Sequence, residues 1–364
     1  MVIKMNRIIK NTAVILLTAV CVYYCLVTPE TVGEAVKNSV DRCLYVIVPS
    51  MFIFMCITCF ISNSGMHIIL SVPFKFVAEK LFRIPKEGFA VFLLSMISGY
   101  PVGIKLVTDN FSKGIITKKQ SEVMNCYCCC AGPAFITGTA GNYLYPDSNA
   151  GMLLFISVLT GNLITALIMS QTLPKLNNTN CSKFKFKQSC FIPSVKSASS
   201  AMLQMCIMIA AFGGLAAILK LSGFIDVISY YTSGIFDLPQ STTDSIFFSF
   251  FEISNIVTLP VMQLYIFPVA AFLISFGGIC VHMQIAAIAD SNFSLKKFFI
   301  ARIFSASVSA ITAVFLMRFL NVDISCNITY KVVTDSSYSP LPSLFLLIMI
   351  TMLLSVLGNK KAKP

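Results

Sequence analysis

Two stretches place charged or strongly polar residues inside runs that are otherwise apolar. In SMISGYPVGIKLVTDN, residues 95–110, Ser98, Gly99, Pro101 and Gly103 interrupt an apolar helix, and Lys105 and Asp109 follow within two turns. A helix that restarts after such a break exposes free N–H groups and a partial positive charge at its first turn. Lys105 falls in that turn, where a cation is unfavourable unless an anion is near. Tip amides plus Lys105 therefore make a candidate anion cradle; the plainer reading is a Lys105–Asp109 pair one helical turn apart. In the segment 242–262, Glu252, Ser254 and Asn255 fall near the centre and Pro260 follows. An acid at that depth is a functional candidate, for a coupling proton, a cation or a counter-charge to Lys105. The alternative is a carboxylate that pairs with Lys105 for stability alone.

Each of these stretches precedes an apolar segment with a further interruption. The first is NCYCCCAGPAFITGTAG, 125–141, containing Asn125, Gly132, Pro133 and Thr137; the second is SFGGICVHMQ, 275–284, containing His282 and Gln284. Cys126, Cys128, Cys129 and Cys130 lie too close along one helix to surround one ion, and no histidine joins them. They read as packing residues. His282 reads as hydrogen-bonded packing or as a proton shuttle. The candidate substrate-binding set is Ser98, Gly99, Pro101, Gly103, Lys105, Asn125, Pro133, Glu252, Ser254, Asn255, His282 and Gln284. No nucleophile–base pair, phosphate loop or metal spacing appears, so the expectation is a protein without catalytic residues or a resident cofactor. A coupling ion, H⁺ or Na⁺, is left open.

These residues need elements to hold them. The chain has 364 residues, 56% hydrophobic and 12% charged, with a mean hydropathy of +0.82. Soluble domains carry about 25% charged residues, and apolar runs of about 20 residues span a bilayer. The sequence therefore predicts a polytopic membrane protein. Its net charge of +12 sits in short clusters between apolar runs, as membrane topology requires, not in a nucleic-acid-binding patch. Lys4, Arg7 and Lys10 precede an apolar run to Val27 with no small-residue cleavage site, which favours an uncleaved first helix over a signal peptide. Residues 66–87 alternate Lys75, Glu79, Lys80 and Arg83 with Phe74, Phe76, Leu81 and Phe82, as an amphipathic helix on the membrane surface would.

The apolar segments are 11–27, 43–63, 88–111, 121–142, 150–173, 198–219, 242–262, 264–289, 298–320 and 341–358. If 88–111 and 242–262 enter and leave the membrane on one side, most of the 27 Lys and Arg residues collect on the cytoplasmic face. These include Lys113, Lys118 and Lys119, five lysines of 174–196, and Lys296, Lys297 and Arg302. If both segments cross, the central clusters face outward, against the positive-inside rule. The expected fold is an all-α polytopic membrane protein with about eight transmembrane helices and two re-entrant helical hairpins, both termini cytoplasmic. The order span, hairpin, span, span occurs twice, and Ser64-Gly65 and Ser222-Gly223 precede the two hairpins. Three crossings per unit invert the second unit, the architecture of secondary transporters. The domains are 1–42, an N-terminal helix and outer loop; 43–173, a first repeat; 174–197, a basic cytoplasmic linker; 198–320, the inverted repeat; and 321–364, a last helix and basic tail.

SGYPVGIKL, GPAFITGTAG, FFEISN and FGGICVHMQ, in this order, resemble the YlbJ-type sporulation integral membrane proteins, also called stage V sporulation protein VV. That family carries the nucleoside-recognition Gate domain and is related to concentrative nucleoside transporters. The resemblance covers about 43–320. It implies a secondary transporter that moves dipicolinic acid, a small planar dianion, across the outer forespore membrane. It assigns the site to Ser98, Gly99, Pro101, Gly103, Lys105, Pro133, Glu252, Asn255, His282 and Gln284. Cys129 and Cys130 stand where the pattern has asparagines, and Ile256 where it has glycine. The alternatives are a carrier of nucleosides or other neutral solutes and a non-transporting sporulation scaffold. The expected partners are an anionic small molecule and the lipid bilayer, with no nucleic acid; a homo-oligomer or other sporulation membrane proteins are further candidates.

Overall fold

The computed structural model describes residues 2–141, 144–145, 148–176, 188–260, 265–289 and 293–319. Among them every regular element is helical: α1 (Val2–Val27), α2 (Pro29–Arg42), α3 (Val48–Asn63), α4 (Met66–Ser71), α5 (Lys86–Ser98), α6 (Val102–Ser112), α7 (Lys118–Asn125), α8 (Ser148–Ser170), α9 (Phe191–Leu221), α10 (Phe224–Phe236), α11 (Gln240–Phe251), α12 (Ile266–Phe276), α13 (Gly278–Ile288) and α14 (Leu295–Phe319). Five helical stretches of described residues are long and apolar enough to cross a bilayer: Pro29–Asn63, Asn149–Ser170, Phe191–Leu221, Ile266–Ile288 and Leu295–Arg318; Val14–Val27 is a shorter apolar helix. The expected span at 341–358 lies outside the described residues.

Three expectations change. Residues 29–42, expected as a loop, form α2, which starts with Pro29 in its first turn beside Glu30; Pro needs no N–H there, and the acid favours that helix end. The helix runs on into α3 through a π-helical turn, Cys43–Ile47, where the Val48 N–H reaches back to Cys43 O. That turn absorbs the ladder bond that Pro49 cannot make. The expected crossing at 121–142 is not one helix. It runs as α7, then a non-helical stretch through Cys128–Gly132, then a π-helical Ala134–Gly141, because Pro133 lacks an N–H and Gly132 gives up helix readily. The amphipathic helix expected over 66–87 is divided into α4, a 3₁₀ turn at Val72–Phe74 and a π-helical turn at Val77–Leu81. Phe74 and Phe82 from this stretch pack on Phe89 of α5, with ring centroids 5.6 and 4.9 Å apart.

Helices approach closely where glycine faces them. α14 packs on both α8 and α12. A Cβ on Gly161 of α8 would stand 2.1 Å from Ser309 Oγ and 2.5 Å from Ser305 O of α14, and one on Gly213 of α9 would stand 2.0 Å from Ser39 Oγ of α2. Small residues let membrane helices gain dispersion contact that lipid cannot replace. Local features recur in the same order along the chain. α3 and α9 both end at a Ser followed by a left-handed glycine that opens the next helix, Gly65 (φ 84°) and Gly223 (φ 74°). An arm, a break and a return then follow each of them.

Candidate functional site: the junction of the interrupted helices

The first break is at Ser98–Pro101. α5 ends on Gly99, whose φ of 75° favours glycine, and the Tyr100–Pro101 peptide is cis. The chain then reverses, so that a Cβ on Gly103 of α6 would lie 2.5 Å from Ser95 Cβ of α5. Ser98 Oγ donates to Leu94 O at 3.0 Å, within its own helix. The second break is at Glu252. α11 stops there, and Ile253–Thr258 turn back along it as a 3₁₀ helix. Ser245 Oγ donates to Thr258 O at 3.2 Å, and Asn255 Nδ2 donates to Phe248 O at 3.3 Å and Glu252 O at 3.1 Å.

Each break rests on the interruption that follows it in sequence. Gly99 lies against Gly132, and the Cys128 carbonyl packs on Gly103. In the other half, Gly277 (φ 87°) and Gly278 (φ 74°) separate α12 from α13, and a Cβ on Gly278 would lie 3.2 Å from Ile253 N. Irregular backbone at membrane depth must be satisfied by protein or by water. Here protein does most of it. Glu252, 1% exposed, accepts from Ser254 N at 2.8 Å through Oε1 and from Ser254 Oγ through Oε2, so the acid caps its own turn. Tyr100 OH donates to Ile274 O at 2.7 Å, tying the first break to the end of α12.

The two halves meet at a cavity of about 20 Å³ lined by Tyr100, Glu252, Ser254 and Gln284, with Met51 and Phe135 among its apolar walls. That volume holds about one water, so the junction has no room for a larger solute. Gln284 Nε2 donates to Cys280 Sγ at 3.3 Å, while its buried Oε1 has no partner. The cavity lining includes no Lys or Arg.

The other candidate residues lie outside the lining. Lys105 Nζ donates to Ser197 O of α9 at 3.3 Å, and no ion pair joins it to Asp109 or Glu252 among the described residues. Asn125 is fully buried at the end of α7 with neither amide atom partnered. Pro133 O accepts from Thr137 Oγ1 at 2.8 Å. His282 Nδ1 faces Gly278 O at 2.7 Å, and its ring is boxed by Phe276, Phe298 and Phe299 at 4.6, 4.9 and 5.6 Å. All four clustered cysteines are buried and free, and no group of metal-ligating side chains occurs among the described residues.

Two residues of the junction escaped the sequence reading. Tyr100 sits at the tip of the quoted stretch, and its ring type between Gly99 and Pro101 is the only signal. Arg302 was expected in a cytoplasmic loop; it lies on α14, wholly buried. Its Nε donates to Ser275 O at 3.0 Å and its Nη1 to Asn162 Oδ1 at 3.0 Å, while Nη2 also reaches Ser275 O. Asn162 Nδ2 in turn holds Tyr127 O at 3.0 Å. No carboxylate pairs with Arg302 among the described residues; the negative end of α12, which stops one residue later, supplies the compensation. The 302/305/309 spacing of Arg302, Ser305 and Ser309, one polar face in a helix, is the signal that places it inside.

Several long apolar helices, with a polar junction where interrupted segments meet, define an integral membrane protein. The chain is 24% identical to Sporulation integral membrane protein YlbJ of Bacillus subtilis (strain 168), in a match covering 86% of this chain and 84% of that protein. This similarity supports a YlbJ-type assignment. No protein-family model matches the chain, and no solved structure is significantly similar to it.

Proposed function

We propose that the chain is a secondary transporter of a small aromatic carboxylate, with dipicolinic acid the first candidate, acting at the outer forespore membrane with both termini in the cytoplasm. In this reading the segments around Gly99 and Glu252 are re-entrant hairpins of two inverted repeats, and substrate binds between their tips. The observation that carries it is the meeting of Tyr100, Glu252, Ser254 and Gln284, from two separately interrupted parts of the chain, at one small cavity. Broken helices converging on a buried polar point are costly unless something passes there. Alternate opening of the two halves would enlarge the cavity to substrate size.

Purified protein in liposomes should accumulate labelled dipicolinate, and Gln284→Ala should reduce the initial rate at least about tenfold, the cost of one buried polar contact. Uptake unaffected by Gln284→Ala and by Glu252→Gln would reject the site. One observation favours a second reading, a neutral solute rich in donors, such as a nucleoside. Among the lining residues Gln284 carries an unpartnered acceptor, and no Lys or Arg lines the cavity. Inhibition of transport by uridine and not by dipicolinate would select that reading.

A further inference from the structure

A second pocket lies on the other side of the Glu252–Thr258 segment. It is open, encloses about 360 Å³, and is walled by α2, α9 and the second break, with Asn38, Ser39, Arg42, Lys220, Asn255 and Thr258 among its lining. That volume is ordinary for a small-molecule site. Its charges are not equivalent. Lys220 Nζ is held by Asp226 and, at 2.6 Å, by Asp244, so its charge is already answered. Glu34, about two turns before Arg42 on α2, is exposed to solvent. Arg42 forms no ion pair among the described residues, and the buried Glu252 carboxylate acts on it only through longer-range attraction. Its Nη2 donates to Ser39 Oγ at 3.2 Å, and its Nε is buried with no partner. Three neutral residues nearby have their donors occupied: Ser39 Oγ donates to Ala35 O, Thr258 Oγ1 to Asn255 O, and Asn255 Nδ2 to Phe248 O and Glu252 O, while Thr31 and Asn38 add uncharged donors to the lining. What remains is the half-buried Arg42 guanidinium, free of any ion pair, in the wall of a pocket that water and solutes can enter. Planar carboxylates match that group in geometry and charge.

We propose that this pocket binds a small carboxylate at Arg42, as a capture site outside the small cavity. Asn255 and Thr258 face the pocket while Glu252 and Ser254 face the cavity, so a single turn of chain separates the two compartments. The place of this capture in transport rests on the function proposed above; the binding itself does not.

The test is equilibrium binding of pyridine-2,6-dicarboxylate and of benzoate to the full chain in detergent micelles, by calorimetry, with and without added phosphatidylglycerol. Arg42→Gln should weaken carboxylate binding about tenfold or more, as loss of a charged hydrogen bond does, and Arg42→Lys should retain part of it. Ala217→Leu leaves Arg42 in place but narrows the pocket, and it should weaken binding likewise; it serves if Arg42→Gln unfolds the protein. Benzoate binding that depends on Arg42 supports the pocket even if the dicarboxylate is not transported. Affinity unchanged in both Arg42→Gln and Ala217→Leu overturns the pocket, while uptake sensitive to Gln284→Ala would leave the transport reading standing. An Arg42-dependent signal seen with phosphatidylglycerol and with neither carboxylate makes this a lipid headgroup site and overturns the proposal.

Discussion

Gly99 and Gly132 are packed backbone to backbone: a Cβ built on either would stand 3.1 Å from the amide nitrogen of the other. The contact joins the tip of the α5–α6 turn to the non-helical stretch before Pro133. Gly132→Ala would also press its methyl to 2.9 Å from Ile97 O, which is backbone and cannot swing aside. The expected cost is about 1–3 kcal/mol, the range for overpacked interiors, read as a lowered thermal midpoint in detergent. Gly138→Ala, with nothing within 4 Å of its Cβ, should melt near wild type. Equal midpoints for the two variants would show that the glycine contact is not tight.

The Arg302 network should behave as a unit. Asn162→Ala removes an acceptor from a buried guanidinium and a donor from Tyr127 O, at a cost of about 1–3 kcal/mol for groups left unsatisfied. Arg302→Met removes the charge and its desolvation together, and a hydrophobic replacement of similar volume is often better tolerated than a half-broken network. The double variant should therefore be less destabilised than the sum of the singles. Strict additivity in a double-mutant cycle of unfolding midpoints would show that the two residues act apart.

Much of the junction is legible in the sequence because its signals are local. Gly99, Pro101 and Glu252 stand inside apolar runs where each carries a cost, and the repeated Ser-Gly pairs announce matching turns. What is not legible depends on partners distant in sequence. Arg302 follows Lys296 and Lys297 and reads as one more basic loop residue until α8 and α12 are seen to enclose it. The polar residues of α2, among them Glu30, Glu34, Lys37 and Asp41, conceal a helix that continues into an apolar one. Hydropathy counts Cys and Ala as apolar, so 121–142 looks like a crossing although Gly132 and Pro133 break it. Lys105 could not be assigned a partner from sequence, because Ser197 O belongs to a different helix, α9.

Tyr100 links the halves through one hydrogen bond to Ile274 O, buried at both ends. Tyr100→Phe keeps the ring against Gly277, whose Cβ position lies 3.4 Å from it, and removes only the hydroxyl. Stability should fall by about 1 kcal/mol. If the proposed transport requires the two halves to part at this cavity, uptake kinetics should change by more than that stability loss accounts for. A variant with wild-type rates would confine Tyr100 to packing.

His67, on α4 and outside the spanning helices, gives the fold a pH dependence whose sign can be worked out. Burial pushes its pKa below the ordinary value; the Ile61 carbonyl opposes this, the Lys113 charge adds to it, and the Ser62 carbonyl and Glu87 oppose it more weakly. The folded protein therefore prefers the neutral ring, whereas in the unfolded chain the ring takes up a proton near pH 6.5. Between the two pKa values the unfolded state binds more protons, so stability increases with pH through that window. The contribution is complete above about pH 6.5 and is lost as pH falls through the lower, folded value. Wild-type protein should lose more of its thermal midpoint between pH 7.5 and 5.5 than His67→Gln, whose side chain does not titrate. His282 stays in both proteins, as do all the carboxylates, so the difference between the two slopes isolates His67. Superimposable profiles would mean that the ring is as accessible to protons in the fold as in the unfolded chain.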